Sequence, residues 1–206
     1  KKLGIKHNVV GIAPITANLV SATAYKSTEI ITTYSGKTVE ITNTDAEGRV
    51  ILCDGLSYGV KKYNPKQIID IATLTGACCV ALGDRHAGAM GTDWKAMELL
   101  KKVGKKTDEL VWPLPMHPDY DAKMKSKIAD LRNSVDGYYA GSQKGAAFLK
   151  NFIEKTPWVH LDIAGTAFTT DPKKYESMMG TGFGVRLLTS YLENIKDLES
   201  IVAEEW

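Results

Sequence analysis

Asn43-Thr44-Asp45-Ala46-Glu47-Gly48-Arg49 gathers two carboxylates and a guanidinium into its last five residues. On an extended backbone, a period of two would turn Asp45, Glu47 and Arg49 to one side. Like charges that close repel, and in a shielded site such a pair persists only when one carboxylate is protonated or a cation lies between them. Oxygen-rich clusters of this kind suit divalent metals, and Arg49 could then hold an anion beside the metal. A second reading is structural. Thr44-Asp45-Ala46-Glu47 matches a capping box, in which the threonine hydroxyl and the glutamate carboxylate each accept an orphan N–H at a helix start. Val50, Cys53, Leu56 and Val60 recur at helical spacing, so both readings place a helix over roughly residues 49–62. Four-residue capping matches are common, which favours the structural reading on the local pattern alone. Gly48 argues the other way, because glycine in a first turn costs about 1 kcal/mol relative to alanine.

Upstream, residues 29–33 and 38–42 are β-branched segments around Tyr34-Ser35-Gly36-Lys37, a hairpin that delivers the chain to Asn43. The acidic stretch therefore falls at a strand-to-helix junction, where open α/β sheets place their ligands. Residues 8–14, an almost continuous apolar run closed by Pro14, read as a strand buried on both faces, and residues 16–28 as loop. Downstream, Asn64-Pro65 ends the helix, residues 67–74 read as a second buried strand, and residues 77–82 are ambiguous between strand and helix. Thr92-Asp93 opens an amphipathic helix with Ala96, Leu99, Leu100 and Val103 on its stripe and Gly104 near its end. Trp112-Pro113-Leu114-Pro115 is an extended connector, and Pro118 starts a helix whose apolar stripe is Tyr120, Met124, Ile128 and Leu131. Residues 133–141 form a polar loop of the kind that lines sites, ahead of a helix carrying Ala146, Ala147, Phe148 and Phe152. In residues 158–163, His160 and Asp162 share one face. With no third ligand nearby, this spacing reads as a hydrogen-bonded histidine on a half-buried surface rather than a metal site. Gly180-Thr181-Gly182-Phe183-Gly184 lacks the lysine of a phosphate loop and reads as a packed turn before a helix with Val185, Leu188, Leu192 and Ile195 on its stripe. Strands alternating with helices point to an α/β layer fold.

The chain has 206 residues, 44% apolar and 24% charged, enough for one substantial core and ordinary for a globular protein. No segment has the apolar length of a membrane span. Twenty-six basic against twenty-four acidic residues give no general field for nucleic acid, and Lys101, Lys102, Lys105 and Lys106 read as a solvated helix face. Cys53, Cys78 and Cys79 lie in apolar runs without ligand spacing or a disulfide framework, and read as reduced, buried thiols.

The opening stretch resembles the signature of the leucyl aminopeptidase family, the cytosolic metallo-aminopeptidases. Further segments fall in that family's order: Val10-Gly11-Ile12-Ala13-Pro14, Ser35-Gly36-Lys37-Thr38, Ile71-Ala72-Thr73-Leu74-Thr75-Gly76-Ala77, Val111-Trp112-Pro113-Leu114-Pro115, Trp158-Val159-His160-Leu161-Asp162-Ile163-Ala164-Gly165 and Thr181-Gly182-Phe183-Gly184-Val185-Arg186. So many matches in order are far more specific than a capping box and reverse the preference for the structural reading. The resemblance implies a mixed β-sheet flanked by helices, as in a zinc-aminopeptidase-like catalytic domain. It implies that Asp45 and Glu47 are ligands of a centre of two divalent ions, zinc or manganese with magnesium or cobalt as substitutes, and that Arg49 holds a bicarbonate serving as base. Such a centre polarises a scissile carbonyl, acidifies a shared water and stabilises the oxyanion formed by its attack. Asn43 matches a residue beside the metals. Thr73, Leu74 and Gly76 match substrate-site positions, the first two through backbone groups, and Ala164 matches a wall of the side-chain pocket. A peptide substrate cleaved after its first residue, a homohexamer and a cytoplasmic location also follow from the resemblance.

In the family, three further ligands, a lysine and two aspartates, and a catalytic lysine come from segments preceding the matched part, and residues 1–42 carry no such pattern. The expectation is a single partial catalytic domain over residues 1–206, truncated on its N-terminal side and incapable of peptide hydrolysis alone. The missing initiator Met also suggests that something precedes residue 1. Smaller departures are Ala22-Thr23, Ser27-Thr28-Glu29 and Tyr138-Tyr139. The alternative is a non-catalytic relative, or an interaction or DNA-binding module, which the near-neutral charge supports little. A serine or cysteine hydrolase is disfavoured by the lack of a Gly-x-Ser-x-Gly elbow and by cysteines placed in apolar runs.

Overall fold

The computed structural model describes residues 3–137, 139–172 and 175–201, so Tyr138 lies outside the described residues. In chain order the elements are β1 (Ile30–Thr32), β2 (Thr38–Glu40), α1 (Glu47–Tyr63), β3 (Ile68–Ala72), α2 (Gly76–Leu82), β4 (His86–Gly91), α3 (Trp94–Thr107), β5 (Leu110–Pro113), α4 (Pro118–Lys123), β6 (Leu131–Arg132), α5 (Gly141–Lys150), β7 (Trp158–Asp162), β8 (Phe168–Thr169), β9 (Met179–Gly180) and α6 (Val185–Asn194), closed by a 3-10 turn over Ile195–Ser200. This is a mixed α/β fold with sheets flanked by helices. The described residues form two compact units, one within Lys1–Val10, Ile69–Pro115 and Trp158–Trp206, the other within Gly11–Ile68 and Met116–Pro157.

In the first unit the sheet runs β3-β7-β4-β5, with β4 parallel to β5 and antiparallel to β7. Residues 83–91 carry no strand signal in sequence, yet His86–Gly91 is an inner strand. Its Ala87, Gly88, Ala89 and Gly91 are small because the sheet is crowded there: a Cβ on Gly91 would lie 2.1 Å from the Trp158 carbonyl oxygen. The expected α3 stripe of Ala96, Leu99, Leu100 and Val103 is fully buried against Ala89, Val111, Val159 and Leu161. The Asp93 side chain caps this helix by accepting from the Ala96 N–H at 3.0 Å. In α6 the buried residues are Leu187 and Tyr191, whereas Val185 is exposed, so the stripe is rotated from the one expected. The cause lies at the helix start, where buried Glu109 accepts from the Leu187 N–H at 2.6 Å and pairs with Arg186 at 3.3 Å, fixing which face turns inward.

β7 is buried at every position, so the half-buried surface expected around His160 is corrected to full burial. His160 Nδ1 hydrogen-bonds Asp70 Oδ1 at 2.6 Å, and Trp158 Nε1 donates to Asp70 Oδ2 at 2.5 Å. The histidine is hydrogen-bonded as expected, but inside the core.

In the second unit the hairpin forms as read, with Ile30 opposite Glu40 and Gly36 at φ +92° in its turn. β2 also pairs in parallel with β6. That pairing replaces the helix expected through Leu131: α4 ends at Lys123, and the Ser126 hydroxyl accepts from the Ile128 and Ala129 N–H groups, closing a turn that competes with the helix. Met124 and Leu131 are buried nonetheless, while Ile128 is exposed. α1 carries Val50, Cys53, Leu56 and Val60 inward, and α5 buries Ala146, Ala147 and Phe148. Residues 8–14 form no strand, contrary to expectation, and are exposed. With no described strand hydrogen-bonded along them, the apolar residues of 11–14 instead lie against α1, where Pro14 and Ile12 crowd the Cβ positions of Gly55 and Gly59.

Cys53 and Cys78 are buried, but Cys79 is exposed, so the expectation of three buried thiols fails for one. Cys79 lies on α2 beside exposed Val80, and this seven-residue helix turns only Cys78 fully inward. Burial, then the Asp162 charge, pushes the Cys78 thiol up from 9.0 to about 12. A raised folded-state pKa means that this thiol's contribution to stability is complete below about pH 9 and is lost as pH rises towards about 12. Urea midpoints measured from pH 8 to pH 11 should therefore fall less steeply in Cys78→Ala than in the unsubstituted chain, and equal slopes would contradict the assignment. Asp70→Ala strands two buried donors, His160 and Trp158, and should lower unfolding free energy by on the order of 3 kcal/mol in urea titrations. A loss below about 1 kcal/mol would show that the dyad does not hold the sheet.

Candidate functional site

The hairpin ends at Thr42, and the chain turns through Thr44 and Asp45 before α1 starts at Glu47. It is not extended, so the period-two geometry does not apply. Neither is it a capping box: Ala46 is the N-cap residue, and no side chain caps the helix there. The turn is an Asx turn, in which Asn43 Oδ1 accepts from the Asp45 N–H at 2.9 Å. Asp45 is exposed, with no hydrogen bond or ion pair to its carboxylate among the described residues. Glu47 is half-buried in the first turn, where the helix dipole favours its negative charge. The Tyr25 hydroxyl is buried without a hydrogen-bond partner among the described residues, and its pKa is raised first by burial and then by the Glu47 charge. Arg49, in the first turn of the same helix, donates from Nη1 to the Asn133 carbonyl at 3.0 Å.

Two residues missed in sequence shape the surroundings. Asn133, fully buried at the end of β6, contacts the main chain of Thr42, Asn43 and Ala46 through its carboxamide. Lys144, buried on α5, donates from Nζ to the Val135 carbonyl at 3.3 Å and the Gly137 carbonyl at 3.1 Å. Its pKa is lowered by burial first, then by the neighbouring charges of Lys123 and Arg49. No local signal marks Asn133, which acts on a segment about 90 positions away, whereas Lys144 folds back onto the loop that precedes its own helix.

The positions expected by resemblance to face substrate, Thr73, Leu74, Gly76 and Ala164, lie in the other unit, and one carboxylate bonds two of them. Asp162 Oδ1 accepts from the N–H groups of Leu74 at 3.1 Å, Thr75 at 3.4 Å and Ala164 at 3.2 Å, while Oδ2 accepts from the Thr75 hydroxyl at 2.6 Å. Leu74 and Ala164 are thus anchored to one group, next to exposed Thr73 and to Gly76, whose Cβ position faces open space. The Leu74 N–H is held by Asp162. Thr75 also caps α2 by accepting from the Cys78 N–H at 3.2 Å.

Hard oxygen donors such as Asp45 and Glu47 fit a divalent cation, and neither carboxylate is neutralised by an ion pair among the described residues. They do not complete a shell: among the described residues no group of three or more His, Cys, Asp or Glu is placed to hold a metal ion. Nor is any described helix long and apolar enough to cross a membrane.

A mixed α/β fold with paired acidic residues at a strand-to-helix junction is the setting in which the comparisons fall. Residues 1–189 match the catalytic domain of the cytosol aminopeptidase family. A protein of Cenarchaeum symbiosum named probable cytosol aminopeptidase is 51% identical over 194 residues, covering 93% of this chain and 40% of that protein. Relatives of the same name in Xanthobacter autotrophicus and Protochlamydia amoebophila are each 46% identical, over 92% and 94% of this chain and 38% and 39% of their own lengths. The chain belongs to the cytosol aminopeptidase family. It spans about 40% of the length of the curated relatives it matches.

Because no side chain caps α1, Thr44→Ala should leave unfolding free energy within about 0.5 kcal/mol of the unsubstituted chain, where loss of a capping box would remove about 1 kcal/mol. Chemical denaturation distinguishes the two.

Proposed function

We propose that this chain is part of the catalytic domain of a leucyl-type metallo-aminopeptidase that releases N-terminal residues from peptides in the cytoplasm. The observation that carries the reading is that the two carboxylates of the Asn43–Arg49 segment have no structural employment: they cap no helix and close no ion pair among the described residues. A clustered acidic pair kept without an internal partner is a standing repulsion, and a ligand role accounts for it. Family membership supports the same chemistry.

In this reading Asp45 and Glu47 hold two divalent ions, zinc or manganese, together with residues from a preceding part of the polypeptide, and Asn43 lies beside them. Bound there, such ions polarise a scissile carbonyl and lower the pKa of a water. Arg49 holds bicarbonate, its guanidinium fixed by the Asn133 carbonyl. Thr73, Leu74 and Gly76 hold the peptide, and Ala164 bounds the pocket for its first side chain, Leu74 and Ala164 keeping their places through Asp162. The isolated chain is inactive, and the working assembly is a homohexamer.

Hydrolysis of leucine-p-nitroanilide with added Mn²⁺ or Zn²⁺, measured on this chain and on the full-length polypeptide that carries it, tests the proposal. Activity is expected only in the longer form. Asp45→Ala and Glu47→Ala should each lower kcat/KM more than about 100-fold, beyond the range of outer-shell substitutions. Lack of hydrolysis and of retained metal in the longer form would overturn it.

A further inference from the structure

We propose that Asn133 is the positioning residue of the metal-ligand loop, setting the geometry of Asp45 and Glu47 and the guanidinium of Arg49 from a strand about 90 residues away; this rests on the metallo-aminopeptidase reading above. Its carboxamide is fully buried. Oδ1 accepts from the Thr42 N–H at 2.9 Å, the Asn43 N–H at 3.2 Å and the Thr42 hydroxyl at 3.2 Å. Nδ2 donates to the Asn43 carbonyl at 2.7 Å and the Ala46 carbonyl at 3.4 Å. The Asn133 main chain joins in: its N–H donates to the Glu40 carbonyl at 3.0 Å, and its carbonyl accepts from Arg49 at 3.0 Å.

These contacts bracket the acidic pair. The carboxamide grips the chain before Asp45, at Thr42 and Asn43, and again at Ala46, between the two carboxylates. Asn43 passes the constraint on, since its own side chain receives the Asp45 N–H at 2.9 Å. The Thr42 hydroxyl also donates to the Ser134 carbonyl at 2.8 Å, so the loop is pinned to the residue after Asn133 as well. Only a carboxamide meets N–H groups on one side and carbonyls on the other. A carboxylate would satisfy the three donors and repel the two carbonyls, and an aliphatic group of similar size would remove the acceptor of the Thr42 and Asn43 N–H groups. Because α1 lacks a side-chain cap, the entry to the helix that carries Glu47 and Arg49 is set by these Asn133 contacts together with the Asn43 turn they anchor.

The test uses the full-length polypeptide with Asn133→Ala and Asn133→Asp. Amide hydrogen exchange at Thr42 and Asn43 should accelerate in Asn133→Ala, while β4 and β7 amides keep their protection. Mn²⁺ affinity by equilibrium dialysis should weaken about 10–100-fold, the range for groups that orient ligands. The loss should appear in kcat and in the Mn²⁺ concentration for half-maximal rate, with KM for leucine-p-nitroanilide within about threefold. Asn133→Asp, which keeps the three acceptor contacts, should be intermediate in exchange and in Mn²⁺ affinity. Folded variants that match the unsubstituted protein in Mn²⁺ affinity and kcat overturn the proposal. So does failure of both variants to fold, which would make Asn133 a folding residue instead of a positioning one. An unsubstituted protein that neither binds Mn²⁺ nor hydrolyses the substrate overturns the metallo-aminopeptidase reading and this inference together, an outcome distinct from active protein with indifferent variants.

Discussion

Polar atoms sealed from water must be paired, and the buried carboxylate of Asp162 meets that constraint by collecting N–H groups from two segments about 90 residues apart in sequence. Hydrogen bonds to a charged group contribute about 1.5–3 kcal/mol each, and a buried donor left without its acceptor costs a similar amount. Exposed pairs in the same unit, such as Lys102 with Asp197 at 3.9 Å, contribute roughly 0–1 kcal/mol. The buried group therefore decides the local backbone. Asp70 acts in the same way between β3 and β7, and Glu109 at the start of α6. In the second unit Asn133 plays the corresponding part without a charge. Each of these side chains trades the solvation of one polar group for the fixed position of several main-chain groups.

What the sequence discloses follows from this. Elements held by apolar periodicity were legible: the hairpin, α1 with Val50, Cys53, Leu56 and Val60, α3 with Ala96, Leu99, Leu100 and Val103, and the buried face of α5. Elements set by long-range polar contacts were not. The rotation of α6 depends on Glu109, and the turn that ends α4 early depends on the Ser126 hydroxyl. β4 was missed because glycine and alanine carry little strand signal, although close packing of the sheet requires them. Residues 8–14 have the composition of a buried strand, but burial needs a neighbour to pair with, and pairing is not a property of the segment itself.

The acidic stretch shows the same limit in a sharper form. Its letters fit a capping box, and the box does not form, because the Asn43 side chain takes the Asp45 N–H and places Ala46 at the helix entrance. Local propensity proposed one use for Thr44 and Glu47, and the anchoring of the preceding residues enforced another. Asp45, Glu47 and Arg49 were named in sequence from their charges and then by resemblance, and Asn43 by resemblance alone. The groups that hold them, Asn133 above all, were not, since a lone asparagine in a polar loop looks like any other surface residue.

The charges around this segment are segregated by sign. Asp45 and Glu47 lie at the positive end of the α1 dipole, which favours a negative charge there by about 0.3–1 kcal/mol each. Arg49, in the same first turn, belongs to a positive region. The Lys144 pKa is lowered partly by Arg49 and Lys123, so the folded chain holds these cations against their own repulsion as well. Lys144 keeps its ammonium through the Val135 and Gly137 carbonyls, and Arg49 is steadied by the Asn133 carbonyl. Carbonyl dipoles reduce the repulsion between cations without cancelling their charge. The backbone that carries the two carboxylates and Arg49 is the backbone that Asn133 anchors.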